Sequence, residues 1–238
     1  MKVLQILPQL NIGGVERGTL DLSKALIHKG HQSFVISGGG VLVDELTQCG
    51  AKHYEIPVHI KSLRTLSLAK RLSETISSID PDIVHVRSRM PAWVNYRAFK
   101  MLQKKPLLVS TFHGLYSFPI YSKVMSFVDH SIAISKTVER YILENYKLDK
   151  GDITVIPRGC DPLEFNNEVI NPVDKANIIE EFPQIVGKKV LTIPGRITKW
   201  KGVAEFIDLL SLLDDNYHGL IVGPTAKSKK KYLNKLQY

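Results

Sequence analysis

The feature that most constrains the fold is a regular alternation of short apolar runs with longer amphipathic segments. Buried strands are predicted at residues 3–7, 32–37, 52–56, 83–86, 107–111, 131–134 and 153–156. Apolar residues recur at helical spacing in the segments 15–29, 42–49, 63–78, 92–102 and 136–146. Strands that alternate with helices in this way form a parallel sheet with helices on both faces. Residues 1–165 are therefore predicted to form one α/β domain.

The loop after the first predicted strand contains the adjacent glycines Gly13 and Gly14, directly before a helix. A strand, a glycine turn and a helix open the nucleotide-binding α/β folds, so the domain is expected to be Rossmann-like. The dinucleotide fingerprint also needs an acid about 20 residues after its third glycine. Here the third glycine is Gly18 and the next strand closes with Ser37, which disfavours NAD. A tight turn without a ligand is the alternative reading of the two glycines.

The rest of the chain is predicted to hold a linker and part of a second domain. Residues 166–187 are polar, contain two prolines and are interpreted as the linker. Residues 188–238 contain two predicted strands, at 190–193 and 219–222, and two predicted helices, at 203–213 and from 225 onward. Two strands and two helices cannot cover both faces of a parallel sheet. We therefore expect an incomplete second Rossmann-like domain.

The formal charge of the 238-residue chain is +9, and much of it lies near the C-terminus. Five lysines follow residue 226, where no acid occurs, so residues 1–226 carry 27 basic and 23 acidic residues, a net charge of +4. A basic balance suits an anionic partner such as a nucleotide-sugar or an anionic membrane surface. The chain contains no known nucleic-acid-binding module, and we expect no nucleic-acid partner.

Cysteine content and hydropathy predict a cytoplasmic protein. Cys49 and Cys160 are too few for a disulfide scaffold and fit a reducing compartment. The apolar run before Pro8 is too short for a signal peptide. An uncharged apolar run of about 18 residues, as a membrane-spanning helix needs, does not occur.

Three cations, Arg196, Lys199 and Lys201, lie between the predicted strand at 190–193 and the predicted helix at 203–213. Ligands of open α/β sheets bind at the carboxyl ends of the strands, and a helix N-terminus attracts anions. Arginine can hold a phosphate with two parallel hydrogen bonds, and lysine adds a point charge. A diphosphate site is the functional interpretation, while three cations alone favour a solvated basic loop.

The order of residues in this loop resembles the donor-phosphate motif of family-4 glycosyltransferases, which have the GT-B fold. The matching positions are Gly195, Arg196, Lys201 and Gly202. The resemblance covers nearly the whole chain, through the glycine pair with Glu16, the Phe-His-Gly segment at 112–114 and the Pro-Arg-Gly segment at 157–159. Arg158 and Cys160 depart from the residues that are commoner in the family.

The resemblance implies roles for individual residues. Donor-phosphate binding falls to Arg196, Lys201, Gly13 and Gly14. His113 corresponds to the active-site histidine that contacts the donor sugar near its phosphate, although a lone histidine is more often a packed or surface residue. Acceptor or anion contacts are expected from Glu16, Arg87, Arg89 and Arg158, with a solvated loop as the alternative for the two arginines that follow the strand at 83–86.

The implied reaction is a retaining, metal-independent transfer of a sugar from a nucleotide-sugar donor to a hydroxyl of a glycan or glycolipid acceptor. Lipopolysaccharide or other cell-surface glycan synthesis at the inner face of the cytoplasmic membrane is the implied setting. The resemblance implies no cofactor and no metal.

One departure from the family concerns the second half. The family places a pair of glutamates there, and this chain ends before any such pair, because Asp214 and Asp215 do not lie in that context. We therefore expect a glycosyltransferase truncated early in its C-terminal half. The alternatives are a catalytically inactive fragment, a binding half that acts with a complementing C-terminal chain, and, less favoured, a peripheral membrane-binding domain.

Overall fold

The computed structural model describes residues 1–60, 67–116, 119–163, 166, 170–225 and 230–236. The chain divides into two compact units, Met1–Gly159 and Cys160–Tyr238. The assignment of residues 1–165, 166–187 and 188–238 to a domain, a linker and a second domain stays a prediction.

The first unit is built on a seven-stranded parallel sheet. Its strands are β1 (Lys2–Ile6), β2 (Gln32–Ser37), β3 (Lys52–Glu55), β4 (Ile83–Val86), β5 (Leu107–Phe112), β6 (His130–Ala133) and β7 (Ile153–Val155). Their order is β3-β2-β1-β4-β5-β6-β7, and every neighbouring pair is parallel. The order reverses between β1 and β4, because the chain leaves β1 toward β2 and returns on the other side at β4.

Helices connect the strands of this sheet. The described helices of the first unit are α1 (Gly14–His28), α2 (Val43–Gln48), α3 (Ala69–Ile79), α4 (Arg89–Phe99), α5 (Pro119–Ser122) and α6 (Lys136–Asn145). Local sequence sets their ends where a capping residue is available. For example, the Ser135 hydroxyl accepts a hydrogen bond from the Val138 N–H at 3.2 Å and caps the N-terminus of α6.

Both faces of the sheet are buried. Strand residues alternate between the faces, so Phe34 and Ile36 join the larger hydrophobic cluster while Val35 joins the smaller one. The smaller cluster contains Leu20 of α1, and the larger contains residues of α3 and α4. This double coverage explains why the strands are almost uniformly apolar.

The second unit contains a separate two-stranded parallel sheet. Its elements are α7 (Pro172–Glu181), β8 (Lys189–Pro194), α8 (Val203–Leu210), β9 (Tyr217–Val222) and α9 (Lys230–Leu236). Strand β8 pairs with β9 in register from Lys189 opposite Tyr217 to Pro194 opposite Val222. The predicted α/β fold class with parallel sheets is confirmed.

Several predicted bounds differ from the observed ones. The helix expected at 92–102 begins earlier, at Arg89, and ends at Phe99. The helix expected at 63–78 is described from Ala69, and residues 63–66 of that prediction lie outside the described residues. No sequence pattern predicted the 3₁₀ turn at Lys123–Ser126, in which Val124 and Met125 are buried. Within the described ranges, no helix is long and apolar enough to cross a membrane.

Candidate functional site

The sequence-predicted site residues of the first unit lie after strands that end at one edge of its sheet. The glycine pair follows β1, Arg87 follows β4, His113 follows β5 and Arg158 follows β7. In an open parallel sheet the crevice for a ligand lies at the carboxyl ends of the strands, where the strand order reverses. Strands β1 and β4 form this reversal point.

Two loops pack together beside this crevice through backbone hydrogen bonds. The Leu10 N–H donates to the Gly39 carbonyl at 2.8 Å, and the Gly38 N–H donates to the Pro8 carbonyl at 2.9 Å. Gly40 has a φ of 142°, and a Cβ at this position would collide with the backbone of Leu10. Glycine is therefore required here for the close approach of two backbones. The loop after β1 is held in place by the loop after β2.

Helix α1 begins at Gly14 without a side-chain cap from Gly13. The Glu16 carboxylate folds back over Gly13, into the space that a Cβ would occupy. The unpaired N–H groups of a helix N-terminus carry a partial positive charge and favour anions. This end of α1 adds to the cationic character of the site.

Arg87 is the most buried cation of the site, with 6% of its surface exposed. Its Nη1 donates to Gln5 Oε1 at 2.9 Å, and Gln5 Nε2 donates to the Thr19 carbonyl and to Ser23 Oγ. Its Nε has no hydrogen-bond partner among the described residues. Gln5 thus connects β1, α1 and the arginine that follows β4.

Burial is the main reason that the pKa of Arg87 falls to about 10. The positive charge of Arg158 lowers this pKa further, while the carboxylates of Asp21 and Glu16 oppose the shift. In the described part of the chain, neither arginine forms an ion pair with a carboxylate. Two arginines that repel each other and lack a close counter-ion make a site suited to an anion.

His113 is half-buried and contacts Arg158. Arg158 Nη2 donates to His113 Nδ1 at 3.0 Å, and Arg158 Nη1 donates to the Gly14 carbonyl. Burial first, and then the charges of Arg87 and Arg158, lower the pKa of His113 to about 3. The imidazole is therefore neutral at neutral pH. Its Nε2 is buried without a hydrogen-bond partner in the described ranges.

A second histidine, His85, lies inside the sheet near the first. Its Nε2 is 2.7 Å from Thr111 Oγ1. Burial, followed by the charges of Arg87 and His113, holds the pKa of His85 well below its usual range. His85 and Gln5 were missed by sequence reasoning, although each is a polar residue in an otherwise apolar strand. A polar residue that interrupts an apolar strand is the sequence signal by which both could have been identified.

Arg89 makes different contacts from the other candidates. Its guanidinium lies over the rings of Tyr116 and Tyr121, at 4.9 and 5.4 Å from their centroids. Its Nη1 also donates to Ser122 Oγ at 3.4 Å. The structure therefore brings the glycine pair, Glu16, Arg87, His113 and Arg158 together, and holds Arg89 between two tyrosines.

The predicted donor-phosphate residues of the second unit lie on the loop after β8. Arg196 and Lys201 are both exposed, and Lys201 Nζ lies 4.5 Å from the centroid of the Trp200 ring. Gly195 has a φ of 143° and Gly202 a φ of 73°, which are backbone conformations that favour glycine. The Gly195 N–H donates to the Val222 carbonyl at 2.8 Å, which ties this loop to the end of β9.

The described residues contain no group of three or more His, Cys, Asp or Glu side chains that could hold a metal ion. The donors that converge in the first unit are instead guanidinium groups, an imidazole and backbone N–H groups. Such groups bind anionic oxygens.

Comparison with known proteins identifies the family of the chain. The model of Glycosyltransferase Family 4 matches residues 12–163, which include the glycine pair, His113 and Arg158. The chain belongs to glycosyltransferase family 4. Among curated relatives, the uncharacterized glycosyltransferase MJ1069 of Methanocaldococcus jannaschii is 30% identical over 175 residues. That match covers 64% of this chain and 43% of the relative.

Solved structures of glycosyltransferases share the fold. A glycosyltransferase from Rickettsia africae is 33% identical, with a TM-score of 0.80 over 99% of this chain and 63% of that one. Anabaena HepE, solved in complex with UDP and glucose, is 18% identical, with a TM-score of 0.82 over 100% of this chain and 65% of HepE. The family-4 chain described here thus spans less than two thirds of the length of each of these relatives.

Proposed function

We propose that this family-4 chain serves the transfer of a sugar from a nucleotide-sugar donor to a hydroxyl acceptor, with retention of configuration and without a metal. The observation that carries the proposal is the cationic site at the carboxyl edge of the parallel sheet. There Arg87, Arg158 and the N-terminus of α1 surround the neutral His113 without a carboxylate ion pair in the described chain. A bound phosphate would supply the missing negative charge.

The names of relatives support the nature of the donor and acceptor. HepE was solved with UDP and with UDP-glucose, which favours a nucleotide-sugar donor for this chain. A human relative, 25% identical over 190 residues, is a phosphatidylinositol N-acetylglucosaminyltransferase subunit. The structural neighbour WaaG is involved in lipopolysaccharide biosynthesis. These names support a glycolipid or other cell-surface glycan as the acceptor.

The residue types fit the charge that develops in such a reaction. Departure of a nucleoside diphosphate builds negative charge on the leaving phosphate, and fixed cations stabilise that charge most in the transition state. We assign donor-phosphate binding to Arg196 and Lys201, together with the backbone at Gly13 and Gly14. His113 is assigned a contact with the donor sugar.

The acceptor is proposed to meet the same edge of the first unit. Glu16, Arg87, Arg89 and Arg158 are the candidate acceptor or anion contacts. Since α9 contributes several lysines, a glycolipid acceptor would also allow contact with an anionic membrane surface at the inner face of the cytoplasmic membrane.

The test uses radiolabelled UDP-glucose and a lipid extract as the acceptor mixture. We expect UDP to bind by titration calorimetry, with an affinity that falls as salt rises because the contacts are ionic. In an active assembly, we also expect label to move into the lipid fraction. A charge-conserving Arg87→Lys variant keeps the cation but loses the planar guanidinium, so binding should weaken. If UDP, ADP and GDP all fail to bind and no label is transferred, the proposal is wrong.

A further inference from the structure

Arg158 connects three segments that are distant in the chain. One of its terminal nitrogens donates to the carbonyl of Gly14, 144 residues away, and the other donates to His113, 45 residues away. It thereby joins the start of α1 to the loops that follow β5 and β7. Its side chain is exposed, yet both terminal nitrogens are engaged within the site.

The direction of the hydrogen bond to His113 fixes the position of the imidazole proton. A guanidinium has only N–H donors and no acceptor. His113 Nδ1, which lies 3.0 Å from Arg158 Nη2, must therefore accept with its lone pair. A neutral imidazole that accepts at Nδ1 carries its single proton on Nε2.

Among the groups around His113, the two arginines favour this neutral form. His85 and Arg87 face it from the side of β4, Arg158 faces it from the loop after β7, and Tyr116 lies three residues downstream. The nearest carboxylate contributions, from Glu16 and Asp21, act on Arg87. A second proton on His113 would place a third cation beside two arginines.

The remaining N–H group of His113 is the one on Nε2. Nε2 is buried and has no hydrogen-bond partner among the described residues. Leaving a buried donor unpaired is costly, so such a group in a native site indicates a position for a ligand or water. The matching ligand atom is a hydrogen-bond acceptor, such as a sugar hydroxyl or a phosphate oxygen.

We propose that Arg158 is a positioning residue: it holds His113 in the Nε2–H tautomer and so presents that N–H group to an oxygen of the bound sugar nucleotide. The identity of the ligand rests on the proposed function, whereas the tautomer rests on the contacts of Arg158 alone.

The first experiment measures the tautomer directly in the full 238-residue chain. Histidine labelled with ¹⁵N gives long-range ¹H–¹⁵N spectra in which a protonated and an unprotonated ring nitrogen are distinct, and His113→Gln identifies the signals. We expect the wild type to show one Nε2–H tautomer that does not titrate between pH 5 and 8. Arg158→Met should give a mixture of tautomers, and Arg158→Lys should restore part of the original population.

Arg140→Met is the matched control, because Arg140 is an exposed arginine on α6. It should leave the His113 signals unchanged. Backbone amide spectra of each variant show whether the fold is retained. Identical His113 signals in the wild type and Arg158→Met, or an Nδ1–H tautomer in the wild type, would overturn the proposal.

The second experiment separates the role of Arg158 from the proposed function. Addition of UDP-glucose should shift the Nε2–H signal in the wild type, and turnover by Arg158→Met should fall by no more than it falls in His113→Ala. The double variant that combines Arg158→Met with His113→Ala should have the same turnover as His113→Ala. The reason is that both changes remove the same interaction. UDP-glucose binding that leaves the Nε2–H signal unmoved would overturn the presentation of this group to the ligand. Absence of UDP-glucose binding would reject the donor, while the tautomer spectra would still decide the role of Arg158.

Discussion

The two units contain the same local motif in different surroundings. In each, a parallel strand ends in a glycine-containing loop and a helix follows, as in β1 with α1 and β8 with α8. Strand β1 lies between β2 and β4 and is almost fully buried, whereas β8 pairs with β9 and half or more of its residues are exposed. The comparison shows that burial, rather than the motif, decides how far the charged groups are shielded from water.

The consequence is visible in the cations that follow strands in the two units. Arg87 is enclosed, and burial is the first cause of its lowered pKa. Lys201 lies in the open over Trp200, where salt and water screen its charge. The first unit should therefore act through fixed geometry, and the loop of the second through charge.

The largest expected difference is in stability. Leu4 is completely buried, and Leu4→Ala should lower the free energy of unfolding of the first unit by about 2–5 kcal/mol, through lost burial and a cavity. Leu212 of the second unit is 82% exposed. Leu212→Ala should therefore change the free energy of unfolding of the second unit by about 0.5 kcal/mol or less. Urea denaturation measures both: Trp93 fluorescence in a Trp200→Phe background follows the first unit, and Trp200 fluorescence in a Trp93→Phe background follows the second. Equal effects would remove the contrast in burial.

The next effect concerns the loop after β8. A charged hydrogen bond to a diphosphate contributes roughly 1.5–3 kcal/mol. In an active assembly, Lys201→Ala should therefore lower kcat/KM by about 10- to 150-fold. Lys199 is exposed on the same loop but lies outside the matched motif, so Lys199→Ala is the control and should change kcat/KM little. Similar losses for both lysines would mean that the loop contributes only general basicity.

A smaller effect is expected at His113. If its neutral Nε2–H group donates to the donor sugar, His113→Ala should lower turnover by about 2- to 12-fold, the equivalent of roughly 0.5–1.5 kcal/mol. Binding of free UDP should stay nearly unchanged, because UDP lacks the sugar that is transferred. Calorimetry with UDP beside turnover measurements distinguishes these outcomes. A parallel loss of both would place His113 on the phosphate instead.

The smallest effect is a change of stability with pH. The pKa of folded His113 is about 3, below the ordinary value of 6.5. As the pH falls below about 6.5, the unfolded chain takes up a proton that the folded chain does not, so the free energy of unfolding decreases. Between pH 7 and 6 one such histidine contributes about 0.7 kcal/mol.

His113→Asn should make the loss of stability on acidification less steep by this amount. His28→Asn, at an exposed position of α1, is the matched control. Chemical denaturation at closely spaced pH values from 7.5 to 5.5 measures the slopes. A slope for His113→Asn as steep as that of the wild type would show that His113 titrates normally in the folded protein.

The strands and their parallel arrangement could be read from the sequence, because both depend on local composition. Strand β2 at 32–37 and strand β4 at 83–86 were predicted at their observed bounds. Their apolar residues occur in short runs, and such runs flanked by turns have few other ways to be buried. The predicted bounds of the helices were less accurate: α4 begins at Arg89 rather than after Pro91. Helix ends are harder to predict because they depend on a few weak contacts.

The sequence by itself also determined which residue types reach the carboxyl edge of the sheet. Gly13, Gly14, Arg87, His113 and Arg158 all follow predicted strands, and parallel strands end at a common edge. Their positions along the chain therefore fixed the place of the candidate site before any contact was known.

Only the tertiary structure decided how these side chains interact. The contacts of Arg158 with Gly14 and His113, and of Arg87 with Gln5, join residues that no local pattern relates. The low pKa of His113 follows from burial and from arginines that follow other strands, and the tautomer proposed for it follows from its contact with Arg158. A sequence specifies strands through neighbours along the chain, whereas the electrostatics of a site depend on distances between atoms that folding alone brings together.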